Sequence, residues 1–422
     1  MSEEKISPQL QFCSFLSGEE EKYKSKDGQM FRWTSTHWQV VQTIGLERMA
    51  FKFLAEKIPD KCSEKMAASC AASAILNAEH LDDPLPNLIP VQNGCIYLTT
   101  GELRSHSPNF GLTYCLSCHF DPSSTAPGFD AFLAESLPDA EIRAFLCEYS
   151  GYTLLPDTRH QLACWLVGPG GNGKSTFAEI MQALHGRPVS LSLDALDGFN
   201  LSSLPGASLV YCDETPPRID EQRLKTLVSG SAVQIDRKYM SAICFKPTAK
   251  WLISGNTLPA ITDHSDGFWR RWIVIPFTTK PATIKPQMAD QVIVTELSGV
   301  LNWALSGLAR LLERGRFPDL PEGLKTAQNE GKKQSNSVAG WIEDVEPHLA
   351  EGKDGGMPKL FVYSNYHTWA NENGVRPVSS MKFWERIKQH FPDLVEFRRA
   401  GEESRRCVNL LYVSQNMPSM RQ

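Results

Sequence analysis

The sequence predicts a multidomain α/β protein built around a phosphate-loop core, and three observations predict it. Apolar strand-like runs alternate with helical ones from ACWLVG to WIVIPF, the pattern of a largely parallel sheet with covering helices. A glycine-rich stretch, GPGGNGKS (Gly168–Ser175), falls between the first of those strands and the helix STFAEIMQALHG. The text on either side of the core changes character: aromatic and helical before it, two helices and a basic hairpin after it. At 422 residues, 41% hydrophobic and 22% charged, the chain has an ordinary globular composition with room for two to four domains.

Residues 1–26 contain GEEEKYKSKDG, charged and poor in apolar residues, and read as a mobile tail. Residues 27–156 form a mostly helical N-terminal domain. Within it MFRWTSTHWQVV reads as a small hairpin, LERMAFKFLAEKI and CSEKMAASCAASAILNAEHL have helical spacing, and short strands lie around NGCIYLTTGEL. The core spans 157–315 and closes with the long apolar helix VIVTELSGVLNWALSGLARLLERG. Residues 316–337, polar and punctuated by Pro and Gly, read as a linker. In 338–422, LFVYSNYHTWANENG, SSMKFWERIKQHF and LVEFRRAGEESRRCVNLLYV give helix, helix and basic hairpin, the outline of a winged helix.

The chemistry lies in the core. Gly168, Gly170, Gly171 and Gly173, with Pro169 and Asn172 between them, let the backbone curl so that successive N–H groups face phosphate oxygens at a helix N-terminus. Lys174 reaches the β- and γ-phosphates, Ser175 holds Mg²⁺ through its hydroxyl, and Thr176 begins the helix. SLVYCDE then ends an apolar strand in Asp213, suited to the magnesium shell, and Glu214, suited to polarising a water. KWLISGN ends in Asn256, placed to sense a γ-phosphate or orient that water. Fifteen residues after Asn256 stands the second of two adjacent arginines, Arg270 and Arg271, between two tryptophans at the mouth of an apolar strand. Taken alone, such a pair is a surface ion pair; downstream of a phosphate loop, it has an anion to meet.

GPGGNGKST, CDE and SGNTLPAITDHSDGFWRRWIVIPF together resemble superfamily 3 helicases, specifically the helicase module of phage and plasmid primase-helicases, related to poxvirus-type nucleoside triphosphatases. The resemblance extends over nearly the whole chain. It implies an AAA+-like ATPase, usually a homo-hexameric ring with ATP and Mg²⁺ bound between subunits, moving 3′ to 5′ on single-stranded DNA. It implies that Lys174, Ser175, Asp213, Glu214 and Asn256 serve the nucleotide in cis and that an arginine reaches the neighbour's γ-phosphate, Arg271 being the first choice and Arg270 the second. It also implies that the hairpin in VQIDRKYMSAICFKP grips DNA through Arg237, Lys238 and Tyr239. Relatives often carry an acid where this chain has Ser231, so whatever contact that acid makes in them is not expected here.

In the C-terminal domain the DNA-contact candidates are Lys382, Arg386 and Gln389 on one helix face and Arg398, Arg399, Arg405 and Arg406 on the hairpin. A net charge of -5 excludes a global field that attracts nucleic acid, so binding rests on such local surfaces. The 11 cysteines are scattered; CLSCHF spells C-x-x-C-H without a second ligand pair, and the start MSEEKISPQLQF is no signal peptide. No apolar run reaches membrane-spanning length. These readings predict a cytoplasmic protein, in a bacterial host, with reduced thiols. The region before the core is too short for a primase domain, so forked DNA and a separate primase, polymerase or initiator are the predicted partners. The leading expectation is a replicative helicase of a phage, satellite or plasmid-like element. The alternatives are an ATP-dependent origin-binding initiator or loader, and a phosphate-loop ATPase that remodels protein.

Overall fold

The computed structural model describes residues 6–18, 22–216, 219–237, 240–259, 261, 266–281, 286–350, 356–375, 377–399 and 405–412. The chain divides into two compact units, residues 1–257 with 265–327, and residues 258–264 with 328–422.

The first unit opens with helix α1 (Pro8–Gly18), where the sequence reading placed a mobile tail. Phe12, Cys13 and Leu16 bury one side of it against helices α2 (Thr43–Lys57) and α3 (Glu64–Asn77), whose Ala and Cys side chains allow close packing. The charged run that suggested a tail starts only after that helix. Between α1 and α2 lie strands β1 (Tyr23–Lys26), β2 (Gln29–Trp33) and β3 (Trp38–Val41), an antiparallel sheet in which Trp33 pairs with Trp38 across the expected hairpin. A second antiparallel sheet follows, β4 (Leu88–Val91), β5 (Gly94–Tyr97) and β6 (Leu103–Arg104). Helices α4 (Pro127–Ser136) and α5 (Ala140–Thr153) lead into the core, Asp139 capping α5 by accepting from the Glu141 and Ile142 amides.

The core sheet is built from β7 (Ala163–Val167), β8 (Pro188–Ser190), β9 (Leu209–Cys212), β12 (Lys250–Gly255) and β13 (Trp272–Pro276), between which run α6 (Lys174–Leu184), α7 (Glu221–Val228), the hairpin β10 (Val233–Arg237) with β11 (Met240–Phe245), and the short α8 (Asp266–Trp269). All its pairings are parallel, in the order β13, β7, β12, β9, β8. Strands β7, β9, β12 and β13 are buried almost along their length, which is why they read as unbroken apolar runs rather than alternating ones. Helices α9 (Met288–Thr295) and α10 (Leu297–Arg314) close the unit.

Helix α5, which the sequence reading assigned to the N-terminal domain, packs along α10 of the core. Gly151 of α5 faces the Ala304 carbonyl, and Gly307 of α10 faces that of Cys147, so close that a Cβ at either would meet backbone. Beside this crossing the buried Glu148 carboxylate accepts two bonds from Arg314, at 2.8 and 3.0 Å, and Arg310 stands 3.5 Å away. A boundary at 156 therefore cuts through packed core.

Helix α11 (Glu322–Ser335) occupies most of the segment read as a linker. Among its described side chains the buried positions are Leu324, Gln328 and Gly331, at helical spacing but with one apolar residue among three, so the periodicity is invisible to a hydrophobic pattern. The second unit contains α12 (Ser337–Val345), β14 (His348–Leu349), β15 (Met357–Pro358), α13 (Lys359–Glu372), α14 (Ser380–His390), β16 (Glu396–Arg399), β17 (Arg405–Val408) and β18 (Leu410–Leu411). Its core gathers Trp341, Tyr366, Phe383 and Ile387, and its three-stranded antiparallel sheet runs β15, β17, β16.

Candidate active site

A cleft of about 640 Å³ opens at the carboxyl ends of β7, β9 and β12, lined among others by Gly170–Thr176, Asp213, Glu214 and Asn256. The loop from β7 to α6 is shaped by three glycines with positive φ: Gly168 at 155°, Gly171 at 76° and Gly173 at 93°. Gly168 lies against the Phe277 carbonyl after β13, where a side chain would have no room, and its N–H donates to Gly255 at 3.2 Å. Asn172 is buried; its amide NH₂ donates to the Phe277 carbonyl while its Oδ1 accepts from Lys174 at 2.9 Å. This asparagine thereby ties the loop to the end of the sheet.

Lys174, 8% exposed, donates from Nζ to the carbonyls of Gly168 at 2.6 Å and Pro169 at 3.0 Å as well as to Asn172. All three acceptors are neutral. Burial lowers its pKa, and a buried ammonium held only by neutral oxygens gains from a phosphate that supplies negative charge. Ser175 and Thr176, at the start of α6, face the same cleft.

Across the cleft, Asp213 and Glu214 are exposed just beyond β9. Tyr211 donates its hydroxyl to Asp213 Oδ1 at 2.6 Å, and its oxygen lies 3.3 Å from Ser254 Oγ of β12. Burial first, and the bond to Asp213 second, push the Tyr211 hydroxyl up and keep it a donor. It fixes one carboxylate oxygen of Asp213, which lines the cleft. Thr215 donates to the Ser254 carbonyl at 3.1 Å, so the turn after β9 is pinned to the neighbouring strand. Asn256 stands at the end of β12, adjacent to β9 in the sheet, on the same rim. Ser175 and Asp213 converge on the lip of a polar cleft and are the hard oxygen donors that suit Mg²⁺.

Neither arginine lines this cleft. Arg270 is exposed, whereas Arg271, the first choice from sequence, is half-buried and donates to the Gly267 carbonyl of its own chain. Trp269 and Trp272 are buried, with Phe268 between their rings at 5.6 and 5.2 Å, and hold the turn that exposes Arg270. The hairpin of β10 and β11 forms with a bulge between Ile235 and Arg237; Lys238 and Tyr239 lie outside the described residues.

In the second unit Lys382 and Gln389 are exposed on α14, while Arg386 is half-buried and donates at 3.0 Å to Asn336, the residue that caps α12. Arg386 thus has a structural bond that sequence did not disclose. Arg398 pairs directly with Arg406, and Arg399 with Arg405, across β16 and β17. Cys115 and Cys118 are buried, which pushes each thiol up to about 12, and among the described residues no group of three His, Cys, Asp or Glu is placed to hold a metal. No single helix among the described residues is long and apolar enough to cross a membrane.

Tyr211 escaped the sequence reading although a signal was present: it stands two residues before Asp213 and so shares its face of the strand. Phe132, Glu135, Pro281 and Met288, which also line the cleft, belong to no motif, and the first two come from a helix more than thirty residues before the phosphate loop.

Residues 12–138 match the family described as D5 N terminal like, residues 333–415 the one described as Poxvirus D5 protein-like, and residues 166–271 a family of unknown function (DUF5906). A protein of Acanthamoeba polyphaga mimivirus, "Putative helicase L207/L206", is 27% identical over 210 residues, 46% of this chain and 22% of its own. One of Invertebrate iridescent virus 3, "Putative helicase 121R", is 24% identical over 258 residues, 54% and 27% respectively. The chain thus matches only about a quarter of the length of these relatives. Two apo structures of the NrS-1 C terminal region share the fold at TM-scores of 0.52 and 0.51, covering 96% of this chain and 100% of theirs at 12% and 13% identity.

Proposed function

The chain carries a superfamily 3 helicase-type, poxvirus D5-like module, and from that premise we propose that it is an Mg-ATP-dependent DNA helicase of a virus or virus-like mobile element, working as a hexameric ring. The observation that carries the reading is the cleft itself: a phosphate loop with its lysine held by neutral acceptors, facing two carboxylates and an amide presented by adjacent parallel strands.

In this reading the backbone N–H groups of the loop cradle the triphosphate. Lys174 turns donors from Gly168 and Pro169 to the β- and γ-phosphates. Ser175 and Asp213 would hold Mg²⁺, which would offset negative charge on the phosphates. Glu214 accepts a proton from the attacking water, and Asn256 holds that water in line. Arg270, exposed and away from its own chain's cleft, is the first candidate to reach a neighbour's γ-phosphate, with Arg271 second because its guanidinium is engaged at Gly267. Such a contact contributes roughly 10³-fold or more in rate.

We read the second unit as a winged-helix-like DNA-binding domain. Supporting this, Arg398 faces Arg406 across the hairpin, a like-charge pair that is unfavourable until an anion joins it. The β10–β11 hairpin is proposed to track single-stranded DNA, with Arg237, Lys238 and Tyr239 as the contact residues.

The test is ATP hydrolysis and strand displacement on forked DNA. Wild type should do both, and Lys174→Ala neither. ATPase without displacement, under conditions where rings form, overturns the helicase reading in favour of an origin-binding loader. Mixed with Lys174→Ala subunits, Arg270→Ala subunits should restore hydrolysis, because each supplies what the other lacks; absence of complementation removes the trans role.

A further inference from the structure

The order of the strands decides where each end of a nucleotide must lie. β7, which feeds the phosphate loop, stands between β12 and β13. Asp213, Glu214 and Asn256 follow β9 and β12, so the terminal phosphate belongs on that side. The opposite end of the cleft, on the β13 side, is walled by Pro281 and Met288, which follow β13, and by Phe132 and Glu135 of α4.

That end differs in chemistry from the rest. Phe132, Pro281 and Met288 are half-buried apolar residues bordering a cleft that is otherwise hydroxyls, amides and charges. None of them can serve phosphate transfer. Phe132 and Glu135 stand one helical turn apart, and α4 is seated on the loop itself: a Cβ at Gly173 would lie 2.7 Å from Ser136 Oγ and 2.8 Å from Phe132 Cε2. One carboxylate braces both walls. Glu296, where α9 passes into α10, accepts from the Gly128 and Phe129 amides at 3.1 and 3.0 Å and so caps α4, while α9 begins at Met288 and packs on α6.

We infer that Phe132 and Met288 hold the base of the nucleotide between them and that Glu135 selects it, accepting a hydrogen bond from an exocyclic amino group such as N6 of adenine. The inference rests on reading the cleft as a nucleoside triphosphate site. An ionised carboxylate can only accept. A base that turns a carbonyl oxygen toward it, as uracil does with O4, is repelled, while a purine offers the ring area that an aromatic wall rewards.

Equilibrium binding to the full chain, by calorimetry with Mg²⁺ present, tests this with four probes: ATP, purine riboside 5′-triphosphate, UTP and inorganic tripolyphosphate. Purine riboside keeps the stacking ring and lacks only the amino group. Wild type should prefer ATP over it by about tenfold or more, the worth of one charge-assisted hydrogen bond, and bind UTP more weakly still. Glu135→Ala should bring the two purine nucleotides within about twofold of each other. Phe132→Leu, which still fills the space beside Gly173, should weaken both purines by about tenfold and leave tripolyphosphate unchanged. Equal binding of ATP and purine riboside triphosphate by wild type, an unaltered preference in Glu135→Ala, or tripolyphosphate bound as tightly as ATP overturns the base site. Failure of the wider reading looks different: wild type then binds none of the four, or Lys174→Ala binds them as wild type does.

Discussion

Gly173→Ala separates the backbone requirement of the phosphate loop from its packing. Gly173 has φ 93°, and placing an L side chain in left-handed backbone costs about 1–2 kcal/mol. The new Cβ would also meet Ser136 Oγ at 2.7 Å and the Phe132 ring at 2.8 Å. Both obstacles are side-chain ends, so they move aside by leaving their rotamers, at about 0.5–1.5 kcal/mol each. The total is about 2–5 kcal/mol. If the loop keeps its shape, the loss appears in the free energy of unfolding. If it relaxes, the loss reappears as affinity when nucleotide restores the shape, at least about 30-fold in Kd. Urea unfolding and Mg-ATP calorimetry on the same protein should therefore give two losses that add to the total. Ser136 Oγ is buried and makes no hydrogen bond, so Ser136→Ala alone should be nearly neutral, yet recover about 1 kcal/mol of the Gly173→Ala loss. Changes below about 0.5 kcal/mol in both measurements would refute the reasoning.

Two further outcomes follow from a buried ammonium and from a pair of like charges across a hairpin. Lys250 is fully buried, donating to the carbonyls of Leu155 and Thr248, and burial lowers its pKa to about 7. Because the unfolded lysine stays protonated well above pH 7, the unfolded state binds more protons there, and stability should rise with pH by up to about 1.4 kcal/mol per unit from pH 7 to about 8.5. Lys250→Met should abolish that slope; parallel stability curves for the two proteins would sink the assignment. Arg398→Gln and Arg406→Gln should each lower the slope of log affinity against log salt for DNA by about one, weakening all sequences alike. An unchanged slope in both would remove the hairpin from the DNA contact.

The core was legible because its chemistry and its periodicity coincide. Gly168–Ser175 needs a strand before it and a helix after it, and the sheet puts Asp213 and Asn256 just beyond and at the end of two adjacent strands. What escaped notice lacks a local signature. Helix α1 was hidden by the acidic run that follows it, and α11 by a buried face made of Leu324, Gln328 and Gly331. Our proposal puts Arg270 ahead of Arg271 because the Gly267 carbonyl accepts from the second guanidinium, a contact with no signature in the sequence. Phe132 and Glu135 reach the cleft only through the seating of α4 on Gly173, a contact between residues some forty apart that no motif encodes.

The crossing of α5 with α10 has a meaning in time as well as space. Gly151, Glu148 and the start of α4 find their partners at Ala304, Arg314 and Glu296, all about 150 residues or more downstream. At roughly 5–20 residues per second, a ribosome takes on the order of ten to thirty seconds to deliver those partners. Throughout that interval the apolar sides of α4 and α5 are finished but uncovered, a window in which a chaperone, or another nascent chain, meets them first. A chain stopped at residue 156 would never leave that window.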